Sequence, residues 1–318
     1  MNTNKLINDL VDEFISEMDS KSYVQKNTRW VLNRFVTWMV KSGVDVRNPR
    51  RADVIHYKQA IIDEGKTPTT VNRYLAPVRS FFAWLERNGT YTNIAAGIKS
   101  PKDDRNFIKD YLKPEQVIQL LNSIPTDRIT GLRDYAMINL MVCTGIRRVE
   151  VMRLTVADLQ QIDGEMVLNI QRKGRTYKEK IKIEPEVYEP IERYLVERKS
   201  FVNSDPLFAN HSRHAHNTIS KEMLSRIVKR YLFNISTSTK LTCHSLRHSA
   251  AINLLTAGRS IYDIKELLGH ESVNTTQMYL RAIEAERRYN NPVSRDLVEL
   301  YRKANKTGKL EQKNTIIV

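Results

Sequence analysis

Six side chains in this sequence are of the types that cleave a phosphodiester. They are two arginines, two histidines, one lysine and one tyrosine: Arg147, Lys173, His244, Arg247, His270 and Tyr279. Paired guanidinium groups neutralise the non-bridging oxygens of a reacting phosphate with fixed geometry. The reaction also needs a nucleophile, a proton acceptor for that nucleophile and a proton donor for the leaving oxygen. The set therefore suits an attack on a phosphodiester that uses no metal ion.

These residues lie in four short motifs. Thr144–Glu150 reads TGIRRVE, Lys173–Arg175 reads KGR, and His244–His248 reads HSLRH. Leu267–His270 reads LLGH, and Tyr279 follows nine residues later. One such motif occurs by chance in many helices, whereas four in a fixed order are specific. Their order and spacing resemble the tyrosine recombinase family, the integrases and Xer-type resolvases, from the first helix to about residue 285.

The two arginines of the set are expected to clamp the phosphate. Arg147 follows Gly145 at the predicted start of a helix that continues to about residue 152, where unpaired backbone amides attract anions. Glu150 lies three residues further on, on the same helix face, and can fix the Arg147 side chain. The resemblance implies that Arg147 and Arg247 are the catalytic arginines and Glu150 the accompanying acid. The alternative, an exposed helix arginine, is the interpretation given to Arg148.

Lys173 lies on a turn between two predicted strands. The resemblance places the catalytic lysine on this turn, where it would protonate the leaving 5′-oxygen. Arg172 stands where the family usually has a glycine, so the turn is expected to differ in shape. Lys178 and Lys180 are alternatives for this role, and all three lysines could instead line the DNA.

The resemblance and the spacing also assign roles to the tyrosine and the histidines. Tyr279 is the predicted nucleophile, and since a phenol has a pKa of about 10 it needs nearby positive charge or a base. His244 is implied in proton transfer at the tyrosine, and His248 is predicted to be structural. His270 follows a glycine expected to end a helix, and is implied in a hydrogen bond to the phosphate or leaving group.

The composition predicts a two-domain protein with a polyanionic partner. The chain has 318 residues, which is long for one domain, and 41% of them are hydrophobic, enough for packed cores. Lysine and arginine number 51 against 36 aspartates and glutamates, for a formal net charge of +15. Such an excess fits nucleic acid, the alternative being a basic protein without that partner.

Neither a secretory signal nor a membrane span is predicted. The first apolar residues are interrupted by Asp9, Asp12 and Glu13, and no apolar run approaches the length of a span. Cys143 and Cys243 cannot form a disulfide scaffold and indicate a reducing compartment. We therefore expect a cytoplasmic protein, which the resemblance attributes to a bacterium, an archaeon or a mobile element.

A metal site is not expected. His211, His214 and His216 lie close together in a polar stretch, but without further partners they are interpreted as loop histidines. No Cys/His cluster has the spacing of zinc ligands, and no other cofactor is implied.

Residues 1–97 are predicted to form a helical domain. Apolar stripes indicate helices over 3–18, about 24–41 and about 51–64, and Thr67-Pro68 caps a fourth helix. The resemblance makes this domain one jaw of a clamp around DNA. Its candidate DNA contacts, for which a solvated face is the alternative, are Lys66, Thr69, Arg73 and Arg79. Residues 98–110 are predicted to be a linker.

Residues 111–290 are predicted to form the catalytic domain. A helix starts near Lys113, and the apolar run 133–143 indicates a buried helix. Asp163-Gly164 marks a hairpin ahead of the Lys173 turn, which predicts a small antiparallel sheet of two or three strands. The rest of this domain is interpreted as helices with loops. The predicted fold class is mostly α with a small antiparallel β-sheet.

Residues 291–318 are interpreted as a tail. A helix is predicted near 294–303, beyond Pro292, with Leu297, Val298 and Tyr301 at helical spacing. An apolar stripe needs a surface to bury against, and in the family that surface is often a neighbouring protomer. The alternative is a tail packed on its own domain.

The resemblance implies a site-specific DNA recombinase. Tyr279 would form a 3′-phosphotyrosyl link and release a 5′-hydroxyl. A homotetramer would exchange strands between two double-stranded DNA sites with inverted repeats through a Holliday junction, with or without an accessory or partner recombinase. The length leaves no room for an additional N-terminal arm-binding domain, which favours a simple-site enzyme. The alternatives are a type IB topoisomerase-like relaxing enzyme and a non-catalytic site-specific DNA-binding protein.

Overall fold

The structure is a computed structural model that describes residues 3–102, 110–211, 217–236, 238, 240–290 and 293–314. The chain divides into two compact units, residues 1–105 and 106–318. Each unit has a hydrophobic core of its own.

The N-terminal unit consists of helices around an aromatic core. Its helices are α1 Thr3–Ser16, α2 Ser22–Lys41, α3 Arg51–Asp63 and α4 Pro68–Arg87. The Thr67 hydroxyl accepts a hydrogen bond from the Thr70 amide at 3.3 Å, so the predicted cap is present at the start of α4. The ring of Phe35 packs edge-on against Tyr57 and Phe82, with centroids 4.9 and 6.2 Å away.

Helices also make up most of the C-terminal unit. They are α5 Pro114–Asn122, α6 Ile129–Thr144, α7 Arg148–Val151, α8 Pro185–Arg198, α9 Lys221–Ile235, α10 Cys243–Thr256, α11 Ile261–Leu268, α12 Val273–Asn290 and α13 Val293–Asn314. Helix α6 is buried along most of its length because it packs against α8 and α10. It therefore forms the centre of this unit.

A small antiparallel sheet follows α7. Its strands are β1 Leu159–Ile162, β2 Glu165–Ile170 and β3 Glu179–Lys182, in the order β1-β2-β3. Asp163 and Gly164 both have positive φ, 52° and 82°, as a two-residue hairpin between β1 and β2 requires. Leu168 pairs with Leu159 on one side and Ile181 on the other, and its side chain is fully buried. The sheet thus holds the turn between β2 and β3 against the helical core.

Gly145 sets the direction of the chain as it leaves α6. It has φ 61°, and a Cβ at this position would lie 2.7 Å from Cδ2 of Leu268 and 3.6 Å from the Ala250 side chain. Glycine therefore permits both the left-handed turn and the close approach of α10 and α11. This contact brings the segment before α7 next to the ends of those helices.

The predicted fold class is confirmed, and two helices differ in length from the prediction. The helix after Arg147 is a single turn, α7, because the chain then tightens through i→i+3 hydrogen bonds and the Leu154 carbonyl accepts from Leu207. Helix α13 extends to Asn314, well past the predicted end near residue 303. His214, His216, Pro292 and part of the predicted linker lie outside the described residues. Among the described helices, none is long and apolar enough to cross a membrane.

Candidate active site

Arg247 lies at the centre of a buried cluster in the C-terminal unit. It projects from α10 and its guanidinium group donates to the carbonyl oxygens of Gly145 and Leu268, at 2.6 and 2.7 Å. Its Nη2 also lies 2.9 Å from Nε2 of His270. Burial, followed by the nearby charge of Arg147, lowers the pKa of Arg247 to about 10. Arg247 therefore joins the end of α6, the end of α11 and the start of the following loop.

His270 is held as a neutral imidazole. Because an arginine can only donate, Nε2 of His270 accepts from Arg247, and Nδ1 carries the proton. Nδ1 lies 2.8 Å from the hydroxyl of Thr276, which is fully buried. Burial, and next the charge of Arg247, lower the pKa of His270 to about 4. Gly269, at φ 59°, ends α11 as the sequence predicts and turns the chain into this position.

Tyr279 projects from α12 into the same cluster. Its side chain is buried, with 4% of its surface exposed, and its ring lies parallel to that of His270 with centroids 6.4 Å apart. The hydroxyl lies 2.9 Å from Nδ1 of His248 on α10. Burial raises the pKa of Tyr279, whereas the charges of Arg247 and Arg147 act in the opposite direction. The phenol is therefore protonated and hydrogen-bonded in this arrangement.

Glu150 organises the neighbouring segment. Its carboxylate accepts from the backbone amide and the Nη1 of Arg147, at 2.9 and 2.8 Å, and from the amide of Lys173 at 3.0 Å. Burial acts to raise the pKa of Glu150, but the backbone donors Lys173 and Arg147 outweigh it, and the pKa is lowered. One carboxylate thus fixes the start of α7 and the turn between β2 and β3, as expected for the residue that accompanies Arg147.

Arg172 forms a second bridge to this turn. It is 2% exposed, and it donates to Glu179 on β3 at 3.0 Å and to the Leu267 carbonyl at 3.1 Å. Its Nη1 lies 3.6 Å from Glu150. Burial lowers the pKa of Arg172, and Glu150 partly offsets this effect. The turn is therefore attached both to α7 and to the end of α11.

Two family models match this chain. The Phage integrase family model matches residues 110–286, and the Phage integrase N-terminal SAM-like domain model matches residues 13–89. The chain belongs to the phage integrase family. The predicted membership is thus confirmed, and this recombinase is of the Xer type.

The sequences of similar proteins match this chain along most of its length. The tyrosine recombinase XerD of Listeria monocytogenes is 31% identical over 286 residues, covering 86% of this chain and 94% of the relative. The tyrosine recombinase XerC of Natranaerobius thermophilus is 32% identical over 239 residues, covering 72% and 77%. Site-specific recombination is the activity these relatives support, and neither a DNA-relaxing enzyme nor a non-catalytic binding protein is favoured.

Solved structures share the fold. The XerH site-specific recombinase bound to palindromic difH substrate in a post-cleavage complex has a TM-score of 0.71 at 20% identity, covering 85% of this chain and 80% of that chain. A lambda integrase dimer bound to a COC′ core site has a TM-score of 0.66 at 18% identity, covering 85% and 94%. At these identities the likeness concerns the fold alone.

The structure brings most of the predicted site residues of the recombinase together. Arg247, His270 and Tyr279 are in one cluster, and the charge of Arg147 acts on both His270 and Tyr279. The backbone of Lys173 is tied to this region through Glu150, while its side chain is exposed. Of the two alternative lysines, Lys178 forms an ion pair with Asp158, and Lys180 is exposed on β3.

The two histidines of α10 differ in their surroundings. His244 is exposed, and its ring centroid lies 6.4 Å from that of His248. His248, predicted to be structural, is buried and makes the hydrogen bond to Tyr279. The four-residue spacing of the two histidines puts both on one helix face, so the sequence alone is compatible with either histidine contacting Tyr279.

The candidate DNA contacts of the N-terminal unit lie on or next to α4. Lys66 and Thr69 are exposed, and Arg73 is exposed with its guanidinium group 2.8 Å from the side chain of Asn27. Arg79 is half-buried and donates to the side chains of two residues of the same unit, Asn72 and Ser100. Arg79 is therefore more constrained than the other three.

His211, the described member of the histidine group in the polar stretch, is a packing residue. Its Nε2 lies 2.9 Å from the hydroxyl of Tyr194, and burial lowers its pKa to about 4. Among the described residues, no group of three or more His, Cys, Asp or Glu side chains is placed to hold a metal ion.

Proposed function

We propose that Tyr279 is the nucleophile with which this recombinase cleaves DNA. The observation that carries the proposal is the placement of the Tyr279 hydroxyl in a buried cluster with Arg247 and His270, within the electrostatic reach of Arg147. In the proposed step the Oη–P bond forms and the P–O5′ bond breaks. The products are a 3′-phosphotyrosyl link and a 5′-hydroxyl, and a 5′-hydroxyl from the partner strand reverses the step. Strand exchange then proceeds through a Holliday junction.

The two arginines would neutralise the phosphate during this step. The Arg147 side chain is 20% exposed and already oriented by Glu150, so it can meet an incoming phosphate without reordering. Arg247 is more deeply buried than Arg147, and we propose that its guanidinium group contacts the phosphate as well. His270 accepts a hydrogen bond from Arg247 in the present arrangement. It would have to reorient before it could donate one to the phosphate or the leaving group.

Lys173 is proposed to protonate the leaving 5′-oxygen. Its backbone is fixed by Glu150 while its side chain is exposed, which suits a group that reaches into the DNA. Lys178 is a weaker candidate because its ammonium group is paired with Asp158. His244, exposed on α10, is a candidate for proton transfer at the tyrosine because of its place in the motif.

Double-stranded DNA carrying inverted repeats is the proposed substrate. The chain has 51 basic and 36 acidic residues, and this excess of positive charge suits such a partner. We propose that residues 1–97 form a DNA-binding domain joined by the linker 98–110 to the catalytic domain 111–290. Its contacts would come from Lys66, Thr69 and Arg73, with Arg79 in a supporting position. We propose a cytoplasmic location for a protein with this substrate.

The active assembly is proposed to be a homotetramer on two synapsed sites. In helix α13, Leu297, Val298 and Tyr301 are exposed by 46%, 47% and 64%. We propose that this stripe contacts a neighbouring protomer, so that the tail 291–318 couples adjacent active sites. An accessory protein or a second recombinase is compatible with the same arrangement.

A nicked suicide substrate tests the nucleophile. A duplex selected from a random pool by repeated binding to the protein would carry a nick beside each possible cleavage position in turn. The parental protein should form an adduct that survives denaturing electrophoresis, and Tyr279→Phe should bind the duplex without forming it. Tyr188→Phe, on α8, is the matched control and should form the adduct at the parental yield. An adduct of undiminished yield with Tyr279→Phe would refute the assignment.

A plasmid with two copies of the selected site distinguishes the activities. A recombinase yields deletion or inversion products, whereas a relaxing enzyme changes the linking number without recombinants. A binding protein gives only a mobility shift. Recombinants are the expected result.

A further inference from the structure

We infer that His248 is the proton acceptor for the hydroxyl of Tyr279. The inference rests on the proposed function, in which Tyr279 attacks the phosphate. It assigns to His248 the role that the motif alone would give to His244.

A buried phenol needs a base in direct contact. Tyr279 is 4% exposed, and burial raises its pKa above the ordinary value. Its proton must therefore leave through a neighbouring group when the Oη–P bond forms. Nδ1 of His248 lies 2.9 Å from the hydroxyl, within the distance for direct proton transfer. The two rings are tilted by 54°, with centroids 5.4 Å apart.

The other groups around the phenol are poorly suited to accept the proton. His270, whose ring lies parallel to that of Tyr279, uses Nε2 to accept from Arg247 and Nδ1 to contact Thr276. Burial lowers its pKa to about 4, so it is a weak base at neutral pH. Arg247 is a cation and has no lone pair to offer.

The position of His248 in the chain supports this assignment. It follows Arg247 directly on α10, so one helix carries both the phosphate clamp and the base. The imidazole is itself buried, which fixes the ring against the phenol. Its ring lies near two other titratable groups, the phenol of Tyr279 on α12 and the imidazole of His244 one turn earlier on α10, and the cation Arg247 precedes it in the chain. His244 is exposed, whereas His248 is buried.

The proton balance of the step is simple. His248 begins as the neutral tautomer with its proton on Nε2, and Nδ1 takes the proton of Tyr279 as Oη bonds to phosphorus. The P–O5′ bond breaks, and the 5′-oxygen takes a proton from Lys173 under the proposed function. At religation the imidazolium of His248 returns its proton to the phenolate. The negative phosphate offsets the charge that His248 gains.

Single-turnover cleavage of the suicide duplex between pH 6 and 9.5 tests the inference. His248→Asn places an amide oxygen near the position of Nδ1, so it can accept a hydrogen bond but cannot take the proton. Loss of a general base lowers a rate by about 10²- to 10⁴-fold. We expect a loss in this range at pH 7, with the rate of the variant rising through pH 9 as the phenol ionises unaided. The parental rate should level off at a lower pH.

Replacement of Tyr279 by 3-fluorotyrosine separates chemistry from packing. Fluorine lowers the phenol pKa, so it should speed cleavage several-fold in His248→Asn and change the parental rate little. DNA affinity and urea unfolding should be close to parental in both proteins. A merely structural role for His248 would give a loss that fluorotyrosine does not relieve, and that result would overturn the inference.

His244→Asn is the comparison that decides between the two histidines. If His244 is the acceptor, fluorotyrosine will rescue His244→Asn and leave His248→Asn unimproved, which also overturns the inference. A parental cleavage rate in His248→Asn overturns it as well. Failure of the proposed function would give another result, because the parental protein would then form no Tyr279 adduct at any pH.

Discussion

The guanidinium group of Arg172 fills the space that a side chain at position 269 would need. A Cβ built on Gly269 would lie 2.8 Å from Nε of Arg172 and 3.1 Å from its Cζ. Arg172 also donates to the Leu267 carbonyl, two residues earlier. The turn that carries Lys173 and the loop that carries His270 are therefore attached through one buried side chain.

Gly269→Ala should disturb both the fold and the site. The alanine would adopt a left-handed φ of 59° and press on Arg172, and overpacking of this kind costs about 1–3 kcal/mol. Gly258→Ala is the matched control, because its φ is 92° and its Cβ would meet nothing within 4 Å. Urea unfolding should show the larger loss for Gly269→Ala, accompanied by slower single-turnover cleavage. Equal losses in the two variants would mean that Arg172 moves aside freely.

Local sequence signals predicted several elements correctly. Thr67-Pro68 marks the start of α4 and Asp163-Gly164 marks the hairpin, since each depends on the backbone preferences of adjacent residues. The motif around Gly269 likewise predicted the end of α11. These features need no knowledge of the rest of the chain.

The contacts of Arg172 and His248 could not be predicted in the same way. Arg172 donates to Leu267, which is 95 residues away in sequence, and His248 meets Tyr279 at a separation of 31 residues. Which histidine of α10 faces Tyr279 depends on how α10 rotates against α12, and a four-residue spacing is compatible with either choice. The sequence did contain a hint, an arginine in place of the usual glycine at position 172.

Arg147→Lys should slow cleavage far more than it weakens DNA binding. Lysine keeps the charge but loses the planar fork that Glu150 orients, and removing one transition-state donor costs about 10²–10³ in rate. Arg247→Lys should have the same effect on cleavage, with some loss of stability because two carbonyl oxygens lose their donor. Single-turnover rates and gel-shift affinities at matched salt measure the two quantities.

Arg148→Lys is the neighbouring control for this prediction. Arg148 contacts the hydroxyl of Ser225, away from Glu150, and its replacement should leave cleavage near the parental rate. Near-parental cleavage by the Arg147 and Arg247 variants would exclude them from the phosphate clamp.

Glu150→Gln should destabilise the recombinase in a pH-dependent manner. The pKa of Glu150 is lowered in the folded protein, so its charge stabilises the fold above the unfolded pKa, and this stabilisation is lost as the pH falls through the folded value. Breaking a buried ion pair by removing one partner costs about 3–5 kcal/mol. We expect a loss of that order at pH 7 by urea unfolding, with the difference from the parent shrinking below about pH 4.

Glu165→Gln provides the comparison for Glu150. Glu165 pairs with Lys182 on the surface, where its side chain is 56% exposed, and solvent screens such a pair, so its loss should change stability little. A stability difference for Glu150→Gln that is small, or that stays constant between pH 7 and pH 3.5, would show that the carboxylate does not hold the two segments together.

The exposed stripe of α13 leads to the last prediction. Leu297, Val298 and Tyr301 expose apolar surface that water hydrates poorly, so burial against a neighbour would be favourable. Truncation after Asn291 should leave binding to a single inverted-repeat arm near parental, because the phosphate-contacting residues remain. It should weaken cooperative binding to the two-arm site and reduce strand exchange.

Point variants keep the helix intact while they test its surface. Leu297→Ser should lower cooperativity in the same direction as the truncation, whereas Glu299→Ser, two positions along the helix, should not. Gel shifts on one-arm and two-arm duplexes must be compared at one salt concentration, because phosphate-driven affinity falls steeply with ionic strength. If the truncated and parental proteins bind the two-arm site with equal cooperativity, the stripe does not join protomers, and the coupling between active sites must arise within residues 1–291.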